Sequence, residues 1–245
     1  MGFRSILALV ALLFVATACT TGSNLPQPAQ AGGPGALPPQ IEREVGPVYT
    51  SRSLQSFVDQ VGRRLVADSH LAGNFRFYVL DDPVPNAHAI SSGYVFVTRG
   101  LLALIEDEAE LAAAFGHELG HIEMKHAAQR ERVRRNVSDA AIKAAIASGS
   151  VTVGRSVAHD GLMALRRYSR DQELEADRVG VSYLVRAGYR GDAMATLVEK
   201  LQLQARLEDE LMGSAPDTAS DRSALSTHPN PEQRLAALQR LELAR

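Results

Sequence analysis

The sequence predicts an α+β fold that is mostly helical, with a small mixed sheet packed beside one central helix. Two segments, 75–80 and 93–98, are short and rich in β-branched and aromatic residues, which is typical of strands. After Gly100 most apolar residues recur at helical spacing. We therefore expect helices, the third of them capped by Gly188, at 101–105, 107–130, 170–187, 191–211 and 230–243. An earlier helix is indicated by the spacing of Leu54, Phe57, Val58, Val61 and Leu65.

The N-terminus has the pattern of an export signal. Arg4 precedes an apolar run from Ile6 to Ala16, and small residues follow the run as far as Cys19. Cys19 occupies the place that a bacterial lipobox gives to its lipid-modified cysteine. We expect a lipid anchor at Cys19, with an ordinary cleaved signal as the alternative.

These features divide the chain into three parts. We expect a lipoprotein signal peptide at 1–18 and a lipidated, Pro/Gly-rich tether at 19–40. The folded domain is expected at 41–245. An anchored domain of this kind would face the periplasm of a bacterial cell envelope, and Thr20 after the cysteine weakly favours the outer membrane.

Composition narrows the class of function. The formal net charge is -2, and the 26 Lys and Arg residues are scattered, so no nucleic-acid surface is expected. The single cysteine excludes an intramolecular disulfide and a thiolate metal cluster. Any metal ion would have to be held by histidine and carboxylate groups.

The predicted helix 107–130 contains the pattern His117-Glu118-Leu119-Gly120-His121. Residues four apart in a helix lie about 40° apart around its axis, so His117 and His121 can share one metal ion. Neutral imidazoles are ligands of Zn²⁺. Glu118 then lies beside the ion, where it can take a proton from the attacking water. We predict one zinc ion, with Glu118 as the catalytic base.

The rest of this helix is expected to be apolar on the face opposite the histidines. Gly116 and Gly120 lie in its interior, where each costs roughly 1 kcal/mol relative to alanine. Such glycines indicate a place where another backbone or the substrate comes close. The apolar face itself is formed by Leu111, Phe115, Leu119 and Ile122.

A second acidic pattern supports the metal site. Glu173 and Asp177 are four residues apart in the predicted helix 170–187, so both can lie on one face. Glu173 can complete a site with two histidines and one glutamate, while Asp177 hydrogen-bonds the distal nitrogen of a ligand histidine. The alternative is a solvated acidic face that pairs with neighbouring arginines.

Taken together, the motifs resemble the HtpX-like and CAAX-prenyl-protease-like zinc endopeptidases of peptidase family M48. The resemblance runs from about Val45 to Arg240 and is nearest to the periplasmic BepA/LoiP-like subgroup, which lacks membrane-spanning helices. It rests on the segments 86–89, 93–102, 115–121, 173–177 and 227–229.

The resemblance implies a zincin-like fold and an endopeptidase that acts on misfolded or misassembled envelope proteins. It also implies that the strand 93–98, including Gly93, Tyr94, Val95 and Phe96, is the sheet edge to which an extended substrate adds. A rival interpretation is a catalytically silent, chaperone-like lipoprotein that binds extended clients. The intact Glu118 argues against that rival.

His228 lies in a segment stiffened by Pro229 and Pro231, ahead of the last predicted helix. By the resemblance, His228 reaches the zinc ion and fills its fourth position in a resting enzyme. When displaced, the same imidazole could support the developing oxyanion instead. The alternative is that His228 is merely exposed.

The remaining histidines are expected to be outside the metal site. His126 is expected at the surface or in an outer supporting role, and His70, His88 and His159 are expected to be ordinary. The Ala-, Ser- and Gly-rich stretch 140–165 is interrupted by charged residues too often to span a membrane. Close helix packing and a mobile or membrane-contacting segment both remain open for it.

Overall fold

The computed structural model describes residues 35–245 except 68, 70, 72–74, 91, 213–227, 229–230 and 244–245. The predicted signal peptide, Cys19, His70 and most of the tether lie outside these residues. The elements in chain order are α1 (Pro39–Val45), α2 (Arg52–Val66), β1 (Arg76–Leu80), β2 (Ala87–Ile90), β3 (Tyr94–Thr98), α3 (Arg99–Leu104), α4 (Glu108–Glu123), α5 (His126–Ser148), α6 (Val151–Arg186), α7 (Ala193–Met212) and α8 (Pro231–Leu243). The predicted α+β class is confirmed.

The sheet has three strands among the described residues, in the order β1-β3-β2. β3 pairs with β1 in parallel and with β2 antiparallel, which makes the sheet mixed, as expected. β3 is thus the central strand, and the prediction that 93–98 forms an edge is wrong for Tyr94, Val95 and Phe96. Gly93 also takes part, since its carbonyl accepts a hydrogen bond from Arg76 N–H at 2.9 Å. The misplacement arose because β2 was not predicted.

The two outer strands differ in what covers them. Backbone hydrogen bonds join the outer side of β1 to the segment before α2, from Tyr49 N–H to Val79 O and from Asp81 N–H to Pro47 O. The Gln55 side chain of α2 bonds both the N–H and the carbonyl of Val79. No described residue forms a ladder with the outer side of β2, so β2 presents the open edge of the sheet.

Helix α4 runs through the centre of the domain. Thr98 and Asp107 cap α3 and α4 by accepting hydrogen bonds from N–H groups three residues ahead. Every residue of α4 from Glu110 to His121 is buried, so the face that carries the histidines is covered as well as the predicted apolar face. The site lies inside the protein, between α4, the sheet and the later helices.

The predicted helix 107–130 is broken in two. Lys125 adopts a left-handed backbone with φ of 56°, which ends α4 and starts α5 in a new direction. A lysine gives no sequence signal for this conformation, since glycine or asparagine usually marks it. The break turns His126 back toward α4.

Helices α5 and α6 form a long hairpin that turns at Gly149, where φ is 64°. The predicted helix 170–187 is confirmed at its C-terminal end but begins at Val151, because the Ala- and Ser-rich stretch is helical as well. Gly188, with φ of 81°, follows α6 as the predicted cap, and Tyr189 N–H bonds to Leu184 O. Among the described residues, no helix combines the length and apolarity that crossing a bilayer requires.

Candidate metal centre

Small residues let α4 and α6 cross at very short range. A Cβ atom on Gly120 would lie 2.6 Å from the carbonyl oxygen of Ala176, and one on Gly116 would lie 3.0 Å from that of Gly180. The glycines of α4 therefore accommodate the backbone of a second helix, as the sequence indicated. This crossing carries Glu173 and Asp177 of α6 up against the histidines of α4.

Four side chains place one potential ligand atom each within 4.8 Å of one another: His117, His121, Glu173 and His228. His117 Nε2 lies 3.1 Å from His121 Nε2 and 3.3 Å from Glu173 Oε2. His121 Nε2 lies 3.3 Å from Glu173 Oε1. The structure thus brings together the three residues that the sequence proposed as ligands.

His228 joins this cluster from the segment before α8. Its Nδ1 lies 3.1 Å from His117 Nε2 and 3.0 Å from Glu173 Oε2. Its Nε2 lies 3.3 Å from Glu118 Oε1. The side chain stands between the candidate ligands and the candidate base, and it is not simply exposed.

The spacing of these atoms suits a tetrahedral metal ion. Ligand atoms about 2.0–2.1 Å from a tetrahedral Zn²⁺ lie roughly 3.3–3.4 Å from one another. Five of the six pairs among His117, His121, Glu173 and His228 have ligand atoms 3.0–3.3 Å apart, and all four lie within 4.8 Å of one another. Two or three imidazoles with one carboxylate also form a donor set that zinc accepts. The residues present therefore fit a zinc ion.

Asp177 and Arg234 support His117 from behind. Asp177 Oδ1 lies 2.8 Å from His117 Nδ1, so the distal nitrogen donates its proton to a carboxylate and Nε2 faces the cluster. Arg234 of α8 donates two hydrogen bonds of 2.7 Å to the two oxygens of Asp177. Both side chains are buried, at 2% and 4% exposure. This ion pair fixes the carboxylate that orients His117.

Arg234 was missed by the sequence reasoning. The available signal was its position: Arg234, Leu238 and Leu241 share one helical face, and an arginine on an apolar face indicates a buried partner.

His126 supports His121 in a similar way. His126 is fully buried, and its Nδ1 lies 2.8 Å from His121 Nδ1. Its Nε2 lies 3.1 Å from Glu175 Oε2 on α6. Of the two expected alternatives, the surface location is excluded and the supporting role agrees with the geometry. Glu175 was not singled out from the sequence, because it was indistinguishable there from other helical glutamates.

The charges of the site follow from this arrangement. Burial raises the pKa of Glu173, but hydrogen bonds from His117, His121 and His228 outweigh it and hold that pKa far below its usual range. Burial and the Arg234 charge lower the pKa of His117, yet hydrogen bonds to Asp177 and Glu173 raise it to about 9. Burial lowers the pKa of His121 to about 4. The cluster therefore holds an anionic carboxylate that attracts a cation.

His88 and His159 have different surroundings. His88 lies on β2 and stacks on Phe96 with 5.0 Å between ring centroids. Burial lowers the pKa of His88, while the nearby Glu118 carboxylate raises it. His88 is therefore part of the wall that faces the site, which its isolation in the sequence did not reveal. His159 is exposed on α6.

Paired histidines on one helix, a glutamate from a crossing helix and a further glutamate beside them define the class of HExxH metallopeptidases. The chain belongs to peptidase family M48, whose family model matches residues 52–242.

Curated relatives support this assignment. A beta-barrel assembly-enhancing protease of Escherichia coli O157:H7 is 30% identical over 207 residues, which is 79% of this chain and 40% of the relative. A protein of Vibrio cholerae with the name putative beta-barrel assembly-enhancing protease is 32% identical over 201 residues, which is 77% of this chain and 39% of the relative. The mitochondrial metalloendopeptidase OMA1 of Schizosaccharomyces pombe is 30% identical over 206 residues, which is 80% of this chain and 57% of the relative. The chain thus spans about two fifths of the bacterial relatives that it matches.

Proposed function

We propose that the chain is a zinc-dependent metalloendopeptidase in which His117, His121 and Glu173 hold the metal ion. The observation that carries the proposal is the convergence of their ligand atoms at the spacing of a tetrahedral zinc site, with separations of 3.1–3.3 Å. Asp177 with Arg234, and His126 with Glu175, hold the two imidazoles in the tautomers that direct Nε2 to the ion.

Glu118 is the general base of the proposed reaction. When bound, the zinc ion supplies Lewis-acid polarisation at the carbonyl under attack. Glu118 projects from the turn that carries both histidines and is 5% exposed, so bulk water competes little for its carboxylate. It accepts a proton from the attacking water and returns that proton to the leaving amine.

His228 is proposed as a fourth ligand that closes the resting enzyme. Its Nδ1 lies among the other ligand atoms, and its Nε2 contacts Glu118. The adjoining cavity, lined in part by Leu101, Met194 and Leu197, measures about 30 Å³. A cavity of that size admits water but no peptide. His228 must therefore move before a substrate binds, and it can then donate a hydrogen bond to the developing oxyanion.

The proposed binding edge for an extended substrate is β2. Its outer side carries no described strand, Ala87 lines the cavity beside Glu118, and His88 faces the site. A peptide in extended conformation can add to such an edge through its main chain. This mode of binding selects unfolded segments, because a folded client does not offer a free strand.

The cellular role is proposed from the relatives. The bacterial relatives are named as beta-barrel assembly-enhancing proteases, which suggests quality control of misassembled envelope proteins as the role of this chain. Cys19 would anchor the domain by lipid to an envelope membrane, most readily the outer one, with the domain in the periplasm. No nucleic-acid partner is proposed.

The activity can be tested with unfolded casein and the full chain. Glu118→Gln is expected to lower cleavage about 10²–10⁴-fold, the usual contribution of a general base, with zinc stoichiometry unchanged. Glu131→Gln is the matched control, because Glu131 lies on α5 among exposed arginines. Undiminished cleavage by Glu118→Gln would contradict the mechanism.

A second candidate is a chaperone-like binder that holds extended clients without cutting them. The contact between His228 and Glu118 favours it, because a permanently closed site would leave β2 as the working surface. The two candidates separate in the His228→Ala variant. Binding of casein without cleavage, in wild type and variant alike, would support the binder and exclude the peptidase.

A further inference from the structure

The far end of the α5–α6 hairpin has an unusual distribution of side chains. Small residues fill the space between the helices: a Cβ atom on Gly154 would lie 2.8 Å from both the carbonyl oxygen of Ala141 and the Cβ of Ala145. The large apolar residues point outward instead, with exposures of 56% for Ile142, 76% for Ile146 and 68% for Val151. Helix pairs in water normally place their large apolar residues between the helices. Small residues inside and large ones outside are typical of helix pairs in contact with lipid.

The charges at this end bracket the apolar tip. No residue from 144 to 154 carries a charge, and the flanking residues are Lys143 on α5 and Arg155 on α6. The nearest carboxylates are farther from the turn, at Asp139 and Asp160. Each uncharged arm has about five residues and so extends about 8 Å, which matches the depth of roughly 5–10 Å reached by interfacial helices.

The turn itself is prepared for a less polar environment. Gly149 N–H and Ser150 N–H donate to Ile146 O and Ala145 O, so these two donors of the turn are satisfied within the hairpin. The Ser148 hydroxyl donates to Ala144 O at 2.6 Å. Polar groups satisfied in this way lose little when water is removed.

We propose that the tip of the α5–α6 hairpin, residues 142–155, inserts into the interface of an anionic lipid bilayer. Ile146 and Val151 enter the acyl boundary, while Ile142, Lys143 and Arg155 remain at the level of the phosphate groups. The tip is a convex end with apolar groups on both helices, which suits a deformable bilayer better than the groove of a partner protein. The hairpin does not span the bilayer.

This placement gives the hairpin a role in positioning. The other ends of its two helices hold the metal site, through His126 on α5 and Glu173 on α6. The separation of Val151 from Glu173 along α6 corresponds to about 33 Å of helix. A tip in the bilayer would therefore hold the candidate active site at a defined height above the membrane surface.

The absence of tryptophan from the chain allows a direct test. Ile146→Trp and, separately, Val151→Trp each place a single fluorophore at the tip of the full chain. Val185→Trp is the matched control, since Val185 is an exposed apolar residue (47%) at the opposite end of α6. Each protein is mixed with phosphatidylglycerol/phosphatidylethanolamine vesicles with and without brominated acyl chains. The probe reports its own surroundings, so an anchor at Cys19 cannot produce the signal.

The expected result is an emission shift to shorter wavelength and quenching by brominated lipid for both tip variants, with neither effect in the control. Phosphatidylcholine vesicles should weaken the effect, and Lys143→Gln with Arg155→Gln should lower the apparent affinity of the tip for anionic vesicles about 30-fold. Tryptophan emission from the tip variants that is not quenched by brominated lipid would overturn the proposal. A shift produced only by unfolded casein, or only by raising the protein concentration, would assign the tip to a client or to a second copy of the chain.

Discussion

The two ends of helix α6 differ in how far their side chains are buried. At the C-terminal end Glu173, Ala176, Asp177 and Gly180 are buried against α4, and the ionised groups among them have hydrogen-bonding partners. At the N-terminal end only Gly154 is buried in the first three turns. One continuous helix is therefore a structural wall of the metal centre at one end and a largely uncovered surface at the other.

This difference in burial indicates which end of α6 tolerates substitutions. The metal end depends on contacts that hold single atoms in place, because a buried carboxylate without its partner is costly. The hairpin end has few such contacts, so substitutions there should change the binding properties of this surface and leave the stability of the fold nearly unchanged. The following predictions compare the metal end with positions outside it, from the largest expected effect to the smallest.

The largest effect is expected at the Asp177–Arg234 pair. Arg234→Met removes two hydrogen bonds and leaves the buried Asp177 carboxylate without its main counter-charge, which should lower the free energy of unfolding by about 3–5 kcal/mol. The matched control is Arg64→Met, because Arg64 is 58% exposed and its pair with Glu108 should contribute only about 0–1 kcal/mol. Urea unfolding measures both. Equal costs would show that the buried pair has no special structural role.

The second effect concerns the helix crossings. Gly120→Ala places a methyl group against the backbone of Ala176, so the helices must separate; we expect a loss of about 1–3 kcal/mol and weaker zinc binding. At Gly161 the atoms nearest to an added methyl belong to the Val137 side chain, with its two Cγ atoms at 2.4 and 2.7 Å, whereas at Gly120 they belong to backbone. Gly161→Ala should therefore cost less than Gly120→Ala, because a side chain yields more readily than backbone and alanine gains about 1 kcal/mol of helix propensity over glycine. Thermal unfolding and zinc titration of the two variants decide the matter. A larger loss for Gly161→Ala would reverse the comparison.

The third effect is on metal binding. His126→Ala removes the group that orients His121, and the zinc affinity should fall about 10–100-fold, the usual result of losing such a partner. His159→Ala, on the exposed part of α6, should leave the affinity unchanged. Competition with a fluorescent chelator gives both values. An unchanged affinity in His126→Ala would show that the contact with His121 is incidental.

The sequence predicted the parts of this molecule that depend on local spacing. The strand at 94–98, the helix that carries His117 and His121, and the cap at Gly188 follow from periodicity and turn chemistry. The choice of Glu173 as the third ligand followed from metal chemistry, because a site without cysteine needs a carboxylate beside the two histidines. For the strand, the helix and the cap the information lies within a few neighbouring residues, whereas for Glu173 it lies in the ligand chemistry.

The parts that were missed depend on tertiary contacts. β2 is a short strand whose identity comes from its pairing with β3, and its omission placed the sheet edge on the wrong strand. The left-handed Lys125 carries no turn signal, so the sequence could not decide between a surface location and a supporting role for His126. Arg234 shows its function only when α8 packs behind Asp177.

The most direct test of the proposed metal centre is zinc K-edge X-ray absorption of the full chain, paired with His228→Ala. With His117, His121, Glu173 and His228 as ligands, the wild type should show imidazole and oxygen scattering at about 2.0–2.2 Å. His228→Ala should keep the zinc ion and exchange one nitrogen ligand for oxygen. Absence of imidazole scattering, or full zinc occupancy after replacing both His117 and His121 by alanine, would contradict the metal centre described above.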